Sequence, residues 1–267
     1  MLRLIEDIHD PRVADFRDLK DRDLSREGGR FVVEGALLVR RLLESELTTQ
    51  KLLVDAAAWD GLRQSVQVPV PAGVEVLLAP AAVVDRIVGF PFHRGALAIA
   101  HRPSPPDVSA LLRDAAAPAT LVCLPATQDA DNVGSIIRSA AAMGCVGVLF
   151  GPQSSDPYYR RSVRVSMGAA FTLPLARTPD LPATLRRLRE QTGARIVATV
   201  LDEAATPLRA ATVHPRQVLL FGNEAQGLDA EVVSLADERV TIPMRRGVDS
   251  LSVSTAAAVV CHHYVPV

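Results

Sequence analysis

The chain has 267 residues, of which 48% are apolar and 22% charged, and a formal net charge of −1. This allows one or two well-cored domains and excludes long disorder and a strongly basic nucleic-acid binder by bulk charge. No apolar run reaches the roughly 18–20 residues that span a bilayer, MLRLIEDIHD offers no apolar signal region, and Cys123, Cys145 and Cys261 have no metal-ligand or disulfide spacing, so a cytoplasmic protein without a metal is expected.

In chain order, residues 1–103 read as a small α/β domain. The charged segment from Asp10-Pro11 to Arg30 is expected to be helical, with Gly28-Gly29 as its stop. FVVEG (31–35) reads as a strand, and the following ALLVRRLLES spaces its apolar residues helically. KLLVD (51–55), VEVLLA (74–79) and GALAIAH (95–101) read as strands, and AAVVDRIV as a helix. Pro103, Pro105, Pro106 and Pro118 suggest a semi-rigid linker over 104–117, with a short helix around 107–116.

Residues 118–267 read as a second unit. TLVCLPA (120–126), VGVLF (146–150), ARIVATV, RQVLLFG (216–222) and ERVTIPM (238–244) have strand character. GSIIRSAAAMG (134–144), residues 157–170, LPATLRRLREQTG, LDAEVVSLA and SLSVSTAAAVVCHHYV read as helices. Apolar strands separated by helices predict a parallel sheet covered on both faces.

Ligands of such sheets bind at the carboxyl ends of strands, where three loops here are polar. The first, Asp129 to Arg138, opens a helix whose free N–H groups attract anions, with Arg138 one turn beyond Gly134. Alone, it reads as well as a capped helix with a surface arginine. The second, Phe221 to Leu228, brackets Glu224 between Gly222 and Gly227, a pattern that suits close backbone approach or an ordinary turn. The third, Ile242 to Ala257, joins a strand end, the pair Arg245-Arg246 and a serine-rich helix start, which also reads as a serine cap. Arginines cluster at Arg40-Arg41, at Arg160-Arg161 with Arg164, and at Arg186-Arg187 with Arg189; each cluster suits phosphate or surface salt bridges. The sequence has no GxGxxG after its first strand and no GxxxxGK[ST], GxSxG or HExxH.

Together, in this order and at these spacings, the three loops resemble the motifs of the SpoU/TrmH methyltransferases of the SPOUT superfamily. Ser166-Met167-Gly168-Ala169-Ala170-Phe171 is similar to the family's segment between the first two motifs. HDPRVADFRDLKDRDLSREGGRFVVEGALLV and the later His93-Arg94-Gly95 resemble the substrate-binding domain of many members, so the likeness covers nearly the whole chain. It implies an α/β fold with a C-terminal parallel-sheet SPOUT domain, a deep trefoil knot and a small N-terminal substrate-binding domain. It further implies a homodimer and transfer of a methyl group from S-adenosylmethionine to a ribose 2′-hydroxyl of rRNA or tRNA. Matched position by position, Asn132, Arg138, Glu224, Ser250 and Ser252 fall in the catalytic motifs, and Leu220, Gly222, Asn223, Ile242 and Leu251 around the cofactor. Arg160, Arg161, Arg164, Arg245 and Arg246 are candidate RNA contacts.

Two positions depart from the family pattern. The third motif typically reads Ser-Leu-Asn-Val-Ser, and Ser252 stands where the asparagine would be. A hydroxyl offers one donor where the amide offers two, so an RNA- or cofactor-binding protein with weak or no catalysis is the alternative. Ala130 replaces a frequent proline that would stiffen the first loop.

Overall fold

The computed structural model describes residues 2–19, 29–65, 70–89, 92 and 95–265. By its internal contacts the chain forms two units, one of Met1–Ser104 with Tyr158–Thr172, the other of Pro105–Pro157 with Leu173–Val267.

The first unit is built on a mixed five-stranded sheet in the order β1-β4-β3-β5-β2. The strands are β1 (Leu2–Leu4), β2 (Arg30–Glu34), β3 (Thr49–Val54), β4 (Glu75–Leu78) and β5 (Ala96–His101). Strand β5 runs antiparallel to both β2 and β3, while β1, β4 and β3 are mutually parallel. Helices α1 (Ala36–Leu43), α2 (Ala56–Ser65) and α3 (Ala81–Val88) connect them. Val32, Leu53, Leu77, Leu97 and Ile99 form the core with Phe16, which comes from a 3-10 helix over Pro11–Leu19. The expected helix from Asp10 to Arg30 is thus a 3-10 helix at its start; residues 20–28, like His93 and Arg94, lie outside the described residues.

Tyr158–Thr172 makes its contacts with this unit although it lies far along the chain. It holds α4 (Arg160–Val165) and a 3-10 turn over Ala169–Phe171. The rings of Tyr158 and Phe171 lie 5.0 and 6.1 Å from that of Phe31, and the Arg102 guanidinium sits 5.4 Å above Tyr158. Apolar area and a cation–π contact therefore fix this segment.

The second unit is a seven-stranded sheet, parallel throughout, in the order β10-β12-β9-β11-β6-β7-β8. Its strands are β6 (Ala119–Leu124), β7 (Gly147–Phe150), β8 (Leu175–Arg177), β9 (Arg195–Thr199), β10 (Thr206–Pro207), β11 (Arg216–Leu220) and β12 (Glu238–Thr241). Its helices are α5 (Val108–Asp114), α6 (Ala130–Met143), α7 (Leu181–Thr192), α8 (Ala230–Ser234) and α9 (Val253–Tyr264). Strand β11 enters between β6 and β9, both of which precede it in the chain, so the order of addition reverses there. Such a reversal opens a crevice at the carboxyl ends of the strands.

Two helices of the second unit show how their ends are set. Asp129 caps α6 by accepting from Asp131 N at 2.6 Å and Asn132 N at 3.2 Å, and Gly144 ends it at φ 86°. Val133, Ile136, Ile137 and Ala140 then form its buried stripe. Residues 104–117, expected as a semi-rigid linker with a short helix, hold α5, whose Val108 and Leu112 are buried in the core of the second unit. Arg216 donates to the carbonyls of Leu112 and Arg113 at 2.8 and 2.9 Å, placing positive charge at the helix end.

Gln217 ties the end of the chain to the sheet. Its fully buried amide donates to Thr120 Oγ1 and Tyr264 O at 2.9 Å each, and its Oε1 accepts from His214 N at 2.9 Å. Gln217→Ala leaves buried polar groups unpaired and is expected to lose about 2 kcal/mol, roughly 4–8 °C in Tm. A thermal melt with unchanged Tm would show that the amide does not secure α9.

Burial pushes the Cys123 thiol up, and neighbouring Cys145 together with burial does the same to Cys261, so neither is a thiolate nucleophile. Among the described residues no His, Cys, Asp or Glu cluster is placed to hold a metal, and no helix is long and apolar enough to cross a membrane.

Candidate active site

At the carboxyl ends of β9, β11 and β12 the second unit opens into a cavity of about 740 Å³. The loop after β11 forms one wall. Asn223 and Gly227 exchange backbone hydrogen bonds at 2.8 Å in both directions, pinching the loop into a hairpin. A Cβ on Gly222 would lie 2.7 Å from Leu228 N and 2.8 Å from Gly227 Cα, so only glycine allows this approach. Asn223 Oδ1 accepts from Ala225 N at 2.9 Å and Gln226 N at 3.3 Å, and its Nδ2 donates to Ala126 O at 2.9 Å. The loop after β11 is thereby tied to the loop after β6, across the reversal point.

A second tie involves side chains alone. Asn132 Nδ2, in the first turn of α6, donates to Glu224 Oε1 at 2.7 Å. The first and second polar loops therefore meet, and Glu224 and Asn223 both line the cavity. Arg138, further along α6, is exposed and has no hydrogen bond or ion pair among the described residues.

The third loop closes the cavity with Ile242, Met244, Ser250, Leu251 and Ser252. Strand β12 ends at Thr241, earlier than expected: its pairing with β9 stops at Thr199, and Pro243 has no N–H to continue a ladder. Arg246 takes the left-handed conformation at φ 58° within the exposed turn that follows. Helix α9 begins at Val253, not at Ser250, because Ser252 is its cap and accepts from Thr255 N at 3.3 Å. The Ser252 hydroxyl donates to Thr255 Oγ1 at 2.9 Å.

Most of the residues expected from sequence thus gather at one place. Glu224, Ser250 and Ser252 line the cavity together with Gly222, Asn223, Ile242 and Leu251, and Asn132 reaches it through Glu224. Leu220 does not line it; its side chain is fully buried in the core, and its carbonyl accepts from Thr199 Oγ1 at 2.7 Å, Thr199 being a cavity residue. Arg245 and Arg246 are exposed on the third loop. Arg160, Arg161 and Arg164 belong to α4 in the first unit, where Arg160 is 3.7 Å from the buried Glu34. Thr199, Val200 and Leu201, at the end of β9, also line the cavity and were not expected. The available signal was positional: ARIVATV reads as a parallel strand, and its carboxyl end must share the crevice.

A model of the SpoU rRNA methylase family matches residues 119–262. An uncharacterised tRNA/rRNA methyltransferase of Mycobacterium tuberculosis is 40% identical over 94% of this chain and 88% of its own length. The chain belongs to the SpoU rRNA methylase family. A 23S rRNA (guanosine-2′-O-)-methyltransferase of Acinetobacter baylyi is 31% identical over 73% of this chain and 80% of its own. The crystal structure of an AdoMet-bound rRNA methyltransferase from Sinorhizobium meliloti superposes with a TM-score of 0.82, at 26% identity, covering 98% of this chain and 97% of that one. As a SpoU family member with a SPOUT-type parallel sheet, the chain is an RNA methyltransferase whose cofactor is S-adenosylmethionine.

The cavity fits that cofactor. Its volume lies within the roughly 300–1,000 Å³ of small-molecule sites. Leu201, Leu208, Ile242 and Leu251 give it apolar walls, and Asn223, Glu224 and Ser250 give it polar edges. Gly222, Ile242 and Leu251 stand just beyond regular elements, and their backbone groups have no hydrogen bond among the described residues. Such groups suit the edge of an adenine base.

The role of Ser252 can be separated into cap and chemistry. Ser252→Ala is expected to lose about 1 kcal/mol of stability, and Ser252→Asn to keep the cap, since both residues cap well. Melting curves beside methyl-transfer rates check this; a tenfold or larger gain in rate in Ser252→Asn would mark the serine as the limiting departure.

Proposed function

We propose that this chain methylates a ribose 2′-hydroxyl of ribosomal or transfer RNA. The observation that carries this reading is the Asn132–Glu224 hydrogen bond, which joins the start of α6 to the cavity wall; the same helix bears the exposed Arg138, which has no partner among the described residues. Bound S-adenosylmethionine supplies an electrophilic methyl group on its sulfonium sulfur. The ribose hydroxyl is a weak nucleophile and must be oriented in line with that group.

Arg138 presents its guanidinium to an RNA phosphate and directs the adjacent ribose; a permanently protonated group serves for positioning rather than for proton removal. Glu224 holds the Asn132 amide, and Asn132 and Ser250 border the place where the hydroxyl enters. Gly222, Asn223, Ile242 and Leu251 hold the cofactor, joined by the Leu220 carbonyl side of β11.

The same reading divides the labour between residues 1–103, which select RNA, and 118–267, which carry catalysis, with 104–117 between them. Arg160, Arg161, Arg164, Arg245 and Arg246 contact phosphates. The protein works as a cytoplasmic homodimer, and the entry of β11 between earlier strands supports a trefoil knot in its C-terminal part. The test is transfer of labelled methyl groups from S-adenosylmethionine to total RNA, separated by size. Label in the ribosomal or transfer RNA fraction supports the reading; label in neither, under conditions where the cofactor binds, argues for the binding-protein alternative.

A further inference from the structure

The first polar loop is held from two sides, and only one of them belongs to the recognised motifs. On one side Asn223 Nδ2 donates to Ala126 O. On the other, the loop after β7 packs backbone against backbone. A Cβ on Gly151 would lie 2.9 Å from both Pro125 C and Pro125 Cα, so these two loops touch where only glycine fits. Gly151 N and Ser154 Oγ both donate to Leu124 O, at 2.9 and 2.6 Å. Ser155 N donates to Thr127 O at 2.8 Å, and Ser155 Oγ donates to Gln128 O. The next residue is Asp129, the cap of α6.

The loop after β7 is in turn gripped by one side chain. Arg177, the last residue of β8, donates through Nη1 to Gly151 O at 3.1 Å and Pro152 O at 3.3 Å. Through Nη2 it donates to Ser154 O at 2.8 Å and Ser155 O at 2.9 Å. A planar guanidinium can hold several carbonyls in a fixed fork, which an ammonium cannot. Neither Arg177 nor residues 151–155 line the 740 Å³ cavity.

We infer that Arg177 is a positioning residue for methyl transfer: by gripping the loop after β7 it holds loop 125–129 in place, and with it helix α6, which bears Asn132 in its first turn and Arg138 farther along. The inference rests on the methyltransferase reading, and it separates substrate geometry from cofactor binding. Displacements of about 1 Å at reacting groups lower rates by as much as a hundredfold.

The test uses the full-length protein with Arg177→Ala, Arg177→Lys and Ser155→Ala, assayed on the RNA that the wild type methylates. Arg177→Ala is expected to lower kcat by about tenfold to a hundredfold with KM for S-adenosylmethionine within about twofold. Arg177→Lys stays close to the alanine variant. Millimolar guanidinium chloride, compared with equal sodium chloride, restores part of the rate to Arg177→Ala alone. Ser155→Ala falls in the same direction, and the double variant loses much less than the product of the two single effects. Should Arg177→Ala fail to fold, the kcat and KM split of Ser155→Ala decides the matter. An unchanged kcat, a matching loss of cofactor affinity or a fully multiplicative double variant overturns the positioning role. Wild-type protein without methyl transfer to RNA overturns the underlying reading instead, so the two failures are distinct.

Discussion

Arg138→Ala is expected to lower kcat for RNA methylation by about a hundredfold to a thousandfold, the range seen when one transition-state donor is removed. The fold should be indifferent to the change. The side chain is exposed, has no partner among the described residues and sits within a helix that alanine favours. Stability should therefore stay within about 0.5 kcal/mol, and Tm within roughly 2 °C. Affinity for S-adenosylmethionine should also hold, because Arg138 does not line the cavity. Single-turnover rates with cofactor binding measured by calorimetry check both halves. Near-normal turnover would remove Arg138 from the mechanism; a matching fall in Tm would reassign it to structure.

Gly222→Ala should act on the opposite term. The added methyl meets Leu228 N at 2.7 Å and Gly227 Cα at 2.8 Å, both backbone atoms that no rotamer change can move. Relief requires opening the hairpin closed by the two 2.8 Å bonds between Asn223 and Gly227. Overpacking of this kind costs about 1–3 kcal/mol. If that strain is released in the free protein and restored on binding, Kd for S-adenosylmethionine rises by about tenfold to a hundredfold. Glu224 shares the hairpin, so kcat should fall as well. Calorimetric titration with the cofactor decides: a Kd within twofold of wild type would show that the hairpin's shape is not part of the cofactor site.

Strand character was readable wherever the chain spends three or four apolar residues in a row between turn signals, as in β6, β9 and β11, because a strand buried on both faces needs such a run. It was not readable in β1 and β8, each three residues long, where no pattern can repeat. The most instructive difference is at β12. ERVTIPM continues apolar through Ile242 and Met244, which reads as one strand, but these two side chains line the cavity instead. Apolarity there serves a ligand wall, and periodicity alone does not distinguish that from a sheet. Likewise SLSVST opens on apolar and small residues that suit a helix, yet Ser250 and Leu251 face the cavity and Ser252 caps.

At the site, residue types at strand ends were legible and their partners were not. Glycine at 222 follows from the close backbone approach that a ligand loop requires, whereas Asn132 and Glu224 were legible through the resemblance to the family's motifs. That Asn132 would meet Glu224, 92 positions away, needed the strand order. Arg177 lay outside any recognisable pattern, because its four acceptors are backbone carbonyls, which carry no sequence signature. Leu220 came from the family resemblance alone, which gives a position in a motif but not the face that its side chain takes; here that face is the core.

The most direct measurement is the position of the transferred methyl group. RNA methylated in vitro with labelled S-adenosylmethionine is hydrolysed in alkali and its products resolved by mass. A methyl on the 2′-oxygen removes the internal nucleophile that cleaves the adjacent phosphodiester, so the label should appear in a single alkali-resistant dinucleotide, and its initial rate of appearance should fall by about a hundredfold or more with Arg138→Ala. Label released as a mononucleotide carrying a methylated base would contradict a site built around the ribose.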